Sequence, residues 1–114
     1  MKIAILISGY LRTIEFNIKK TIDIFSKYDV DYFIHITENE KEEKYVNSKV
    51  DINSVLDLIK PKIVIREYEF ENNDQYFKNM RNMWYKIEVL IDSISKYSKF
   101  NNINYDLFLR IRPD

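Results

Sequence analysis

Lys2-Ile3-Ala4-Ile5-Leu6-Ile7-Ser8-Gly9 is the stretch on which the fold turns. Ile3 to Ile7 are apolar without interruption, so neither face of the strand they form can be left in water. That pattern belongs to a strand inside a parallel sheet covered on both faces. The run stops at Ser8-Gly9, and Gly9 is the only glycine among 114 residues. A signal peptide would need a small-residue cleavage site at that point, and none follows.

Working outward, Ile14, Ile18, Ile22 and Phe25 recur at spacings of four, four and three, which predicts an amphipathic helix over 13–27 with Thr13 near its N-cap. Asp31-Tyr32-Phe33-Ile34-His35-Ile36 predicts a second strand, and the charged stretch 38–44 a solvated loop or frayed helix. Ile52, Val55, Leu56 and Ile59 have helical spacing, with Pro61 as the stop signal. Residues 62–68, rich in β-branched side chains, predict a third strand. Glu69 to Asp74 reads as a polar connection. Phe77, Met80, Trp84, Ile87, Leu90 or Ile91, Ile94 and Tyr97 then trace a long helix, broken at 101–104, before a fourth strand at Tyr105-Asp106-Leu107-Phe108-Leu109-Arg110-Ile111. Strands alternating with crossover helices predict a single Rossmann-like α/β domain over 1–114. Its three layers, α/β/α, enclose a four-stranded parallel sheet of order 3-2-1-4. Strands one and four are then neighbours, and their carboxyl ends, Ser8 to Arg12 and Arg110 to Asp114, form the walls of one crevice.

Composition narrows the function. Eighteen basic side chains balance eighteen acidic ones, which argues against broad nucleic-acid or anionic-membrane binding. The absence of cysteine removes disulfides, zinc fingers and thiol nucleophiles together. No apolar run approaches the roughly 18 residues that span a bilayer, so no transmembrane segment is expected and the cytoplasm is the expected location.

The two chain ends carry the residue types that bind phosphate. Gly9 permits a tight turn and close approach by a ligand, and Arg12 supplies a fixed cationic fork at the start of a helix. Arg110 and Arg112 alternate along the fourth strand and are expected on one face. Asp114 just beyond it is the kind of oxygen ligand that Mg²⁺ or Mn²⁺ takes. The competing reading makes Arg110 and Arg112 ordinary ion-pair partners of Asp31, Asp106 or Asp114. His35, the only histidine, is expected to be structural, Arg81 to be a lesser ligand candidate on the long helix, and Trp84 and Met80 to be core. A dinucleotide-binding oxidoreductase is excluded because G-x-G-x-x-G does not follow the first strand.

Read together, residues 2–13, 31–36, 82–87 and 105–114 resemble the nucleotide-sugar half of GT-A-type glycosyltransferases. They are most similar to the viral and bacterial surface-glycan group, with its SG-x-x-RT start and R-x-RPD strand end. The resemblance implies a nucleotide-diphosphate-sugar donor held by Ser8, Gly9, Tyr10, Arg12, Arg81, Arg110 and Arg112, with Asp114 as the ligand to Mn²⁺ or Mg²⁺. Arg112 stands where a full DxD motif has its first aspartate, so either Asp114 holds the ion alone or Arg112 partly replaces it. The acceptor-binding half of such enzymes follows the fourth strand, and its counterpart is expected beyond Asp114; neither the glycan or protein acceptor nor a catalytic base is identified. The alternative implied function is a truncated, non-catalytic interaction module of the same fold. The sheet edge and a Tyr-rich surface are of a kind that a partner covers, a second copy in a homo-oligomer included.

Overall fold

A computed structural model describes residues 1–9, 14–38, 52–68 and 75–112. The elements run β1 (Lys2–Gly9), α1 (Ile14–Ile24), β2 (Asp29–Glu38), α2 (Ile52–Ile59), β3 (Ile63–Tyr68), α3 (Gln75–Asn101) and β4 (Leu107–Ile111). All pairings are parallel, β1 with β2, β1 with β4 and β2 with β3. The sheet order is 3-2-1-4, as the strand and helix pattern predicts.

The uninterrupted apolar run of β1 divides by parity between two cores. Ile3, Ile5 and Ile7 join Tyr32, Ile34 and Ile36 of β2 under α1 and α2, whose Ile14, Ile18, Val55 and Ile59 close that side. Ala4 and Leu6 join Phe33 beneath Leu90 and Ile94 of α3 on the other side. Helices therefore cover both faces, and an aliphatic residue at every position of β1 is what both layers require.

Helix ends follow local chemistry. Lys60 adopts a positive φ of 46° directly before Pro61 and closes α2 through Lys60 N–H to the Leu56 carbonyl at 2.8 Å. Asn102, at φ 53°, ends α3, and the Ile103 N–H reaches back to the Ser98 carbonyl at 2.9 Å; asparagine tolerates this left-handed cap well. α1 stops at Ile24, short of the expected Lys27, because Ser26 and Tyr28 N–H bond to Asp23 and Phe25 carbonyls in a turn. Glu38, expected at the start of a charged loop or frayed helix over 38–44, is the last residue of β2; the rest of that stretch, the polar connection over 69–74 and the Thr13 cap lie outside the described residues.

The amino ends of the strands are locked together by one polar cluster. Lys2 Nζ lies 3.0 Å from Asp29 and 3.4 Å from the buried Asp31. The Asp31 carboxylate also accepts the Tyr105 hydroxyl at 2.6 Å. Asp106 accepts the Lys2 N–H through its side chain and donates its own N–H to the Lys2 carbonyl, both at 2.8 Å. Burial, followed by the Asp31 hydrogen bond, pushes the Tyr105 phenol far above its ordinary range. The starts of β1, β2 and β4 are thereby fixed relative to one another, which sets where their carboxyl ends fall.

Phe33 is fully buried, with the rings of Tyr97 and Tyr105 edge-on at 5.6 and 5.9 Å. Phe33→Ala should lower unfolding stability by about 3–5 kcal/mol, read as a fall in the urea midpoint at constant m-value; a loss below about 1 kcal/mol would mean that the α3-side core is not packed as described.

Candidate functional site at the carboxyl ends of the strands

Because all four strands are parallel, their carboxyl ends share one edge of the sheet. The register pairs Ser8 with His35 and Gly9 with Ile36 across β1 and β2, and Ile7 with Ile111 across β1 and β4. The two stretches singled out in the sequence are thus adjacent. Gly9, the last residue of β1, has φ 124°, a conformation that strongly favours glycine.

On the α3 side of this edge the side chains are polar. Ser8, His35, Thr37 and Lys86 are buried, the histidine almost completely at 1% exposure. Arg110 Nε donates to Ser8 Oγ at 3.4 Å, a long bond that joins the end of β4 to the end of β1. Tyr85 of α3 donates to Glu67 of β3 at 2.9 Å. Its ring stands edge-on to His35 at 6.3 Å between centroids. His35 Nε2 is 3.5 Å from Glu67 Oε1, within ion-pair reach, yet neither ring nitrogen completes a hydrogen bond among the described residues. Burial lowers the His35 pKa; Glu67 opposes that shift and Lys86 reinforces it. The lowered pKa keeps the imidazole neutral at physiological pH, and among the described residues Arg66, Lys86, Arg110 and Arg112 bring positive charge to this edge.

Several expectations change here. Arg110 meets Ser8 on the α3 side, and Arg112 lies past the last β4 residue, beside a recess that Ile7, Ile14, Ile18 and Ile111 also line. Asp31 and Asp106 are not partners of Arg110, since both bond at the opposite edge of the sheet. The indole of Trp84 is 60% exposed and is not core, because α3 turns Lys86, Leu90 and Ile94 toward the sheet. His35 is structural in its burial but lacks the hydrogen bonds that a settled core histidine makes. Tyr10, Arg12 and Asp114, the side chain of Arg81 and that of Met80 lie outside the described residues.

The cluster of Glu67, Tyr85 and Lys86 around His35 was not anticipated. Parity along β3 carried part of the signal, because Glu67 follows Ile63 and Ile65 at two-residue spacing on one face. Lys86 at four residues before Leu90 carried the rest. The recess beside Arg112 has room for only about 10 Å³, far below the several hundred Å³ of a typical ligand pocket. Among the described residues no three acidic or histidine side chains are grouped to hold a metal ion, and no helix is long and apolar enough to cross a membrane. No family model, curated protein or solved structure matches this chain.

The buried histidine gives a pH dependence of definite sign. Its folded-state pKa lies below the unfolded value of about 6.5, so the unfolded chain binds the additional proton. The stability that a neutral His35 permits is complete above that value and falls as the pH drops through it toward the folded pKa. Urea unfolding at stepped pH should show a decline below about pH 6.5 that His35→Gln reduces; an equal decline in the variant would assign acid sensitivity to other groups.

Proposed function

We propose that this chain is a glycosyltransferase-like domain of GT-A type that binds a nucleotide-diphosphate sugar for glycan synthesis. The observation that supports the reading is the juxtaposition of the SG-x-x-RT and R-x-RPD stretches at a switch point. β1 and β4 lie side by side, the direction of winding reverses between them, and Arg110 touches Ser8 across the seam. Open parallel sheets bind ligands beyond the carboxyl ends at such a point.

In this reading the lack of a side chain at Gly9 lets the donor approach the backbone. Arg110 and Arg112 are assigned to the diphosphate, together with Arg12. Neutralising the diphosphate makes the nucleotide a better leaving group while an acceptor hydroxyl attacks the sugar's anomeric carbon. Asp114 is the proposed ligand for Mn²⁺ or Mg²⁺. Among the described residues no three acidic or histidine side chains are grouped for such an ion, and charge neutralisation at the described edge is assigned to the arginines. The acceptor-side base is not assigned to any residue of this chain. A non-catalytic interaction module of the same fold is the reading left standing if no donor binds.

Calorimetric titration with UDP- and GDP-sugars, each with and without Mn²⁺, tests the proposal. Binding is expected in at least one combination. Arg110→Ala should weaken it about ten- to a hundredfold, the range of one charge-assisted contact, and Asp114→Ala should remove only the part that depends on Mn²⁺. No heat and no chemical-shift change with any donor would defeat the reading.

A further inference from the structure

Glu67 is anchored through one carboxylate oxygen and open at the other. It follows Ile63 and Ile65 on the α3 face of β3, opposite Thr37 of β2, and its side chain is 34% exposed. Oε2 accepts the Tyr85 hydroxyl at 2.9 Å. Oε1 accepts no hydrogen bond among the described residues and has His35 Nε2 3.5 Å away. The imidazole approaches from the buried side, at 1% exposure, and neither of its nitrogens completes a hydrogen bond among the described residues. The remaining acceptor capacity of Oε1 therefore belongs to whatever meets the exposed part of this side chain.

Its charge decides what that can be. An ionised carboxylate only accepts hydrogen bonds, so it repels phosphate and takes hydroxyl hydrogens. Phosphate is better placed at the β1–β4 seam, where Arg110 meets Ser8. Neighbouring strands lie about 4.8 Å apart, which puts β3, two places from β1 in the order 3-2-1-4, about 10 Å from β1. A free phosphate does not bridge that distance, but a diphosphate with a sugar ring attached does. Nucleotides bound at parallel sheets place ribose hydroxyls on a carboxylate in this way.

We propose that Glu67 is the hydroxyl-reading residue of the site. Through Oε1 it accepts from a hydroxyl-bearing ring, ribose or transferred sugar, attached to a diphosphate held at the β1–β4 seam. This role rests on the nucleotide-sugar reading and adds to it the residue that tells a hydroxyl from a hydrogen. Tyr85 keeps Oε2 occupied and His35 stands behind Oε1, so the carboxylate has a fixed direction before any ligand arrives. A ligand without the hydroxyl covers that oxygen and leaves it unpaired, which is why sites that bond a hydroxyl reject its deoxy analogue strongly.

Calorimetric titration of the 114-residue chain with UDP-glucose and GDP-glucose, each beside its 2′-deoxyribose and its 2-deoxyglucose form, provides the test. For a sugar nucleotide that binds, one deoxy form should bind about tenfold or more weakly than its parent. Which form does so identifies the ring that is read. In Glu67→Ala the parent should weaken to the level of that deoxy form and the difference between them should vanish. Glu67→Gln, which keeps the shape of the side chain, should reduce the same difference, and far-UV circular dichroism checks the fold of both variants. A structural effect alone weakens parent and deoxy forms equally and preserves their ratio; that result overturns the proposal, as does an unaltered chain that binds all forms equally. Absence of binding by every sugar nucleotide defeats the donor reading together with this one, whereas binding that ignores the lost hydroxyl defeats this one alone.

Discussion

β1 has no face in contact with water, and the remainder of the molecule is arranged around that fact. Ile3, Ile5 and Ile7 demand one apolar layer and Ala4 and Leu6 demand another, so helices must cross the sheet on both sides. A strand buried on both faces also needs partners on both edges, because its N–H and C=O groups have no solvent to bond. β2 and β4 fill those positions. The central location of β1 is therefore a joint consequence of hydrophobic burial and backbone hydrogen bonding. It is also what places the carboxyl ends of β1 and β4 side by side.

Polar groups divide the sheet into a structural edge and a candidate functional edge. At the amino ends, Lys2, Asp29, Asp31, Tyr105 and Asp106 are mutually satisfied and fix the strand starts. At the carboxyl ends Arg110 reaches Ser8 at 3.4 Å, and Glu67 accepts the Tyr85 hydroxyl at 2.9 Å with His35 3.5 Å away. Buried polar groups usually find partners, and neither ring nitrogen of His35 completes a hydrogen bond among the described residues. Three carboxylates, an ammonium and a phenol hold one end, while a neutral imidazole, a glycine and cationic side chains gather at the other.

Most of the fold was legible in the residues, for identifiable reasons. The run Ile3 to Ile7 and the β-branched residues 63–65 marked buried strands, and stripes such as Ile14–Ile18 marked helices that must cover them. Connections between parallel strands are right-handed and leave few strand orders open. Less of the site could be read. Lys86 and Glu67 resemble solvated charges until the packing of α3 turns one toward the sheet and draws the other to Tyr85. Trp84 looked like core because its spacing fits a helical stripe, but two stripes about a third of a turn apart share the same spacing rules, and only contact with Ala4, Leu6 and Phe33 decides between them.

The sequence by itself determined the class of fold, the sites of its turns and the identity of the residues at the two strand ends, because burial periodicity and glycine stereochemistry are local properties of the chain. The tertiary structure alone decided that Arg110 meets Ser8 across the seam of β1 and β4, that His35 is buried beside Glu67 and Tyr85, and that Trp84 faces away from the core. These are relations between segments distant in sequence. They are set by strand register and helix rotation, and both are fixed by the whole core together and not by any one stretch of it.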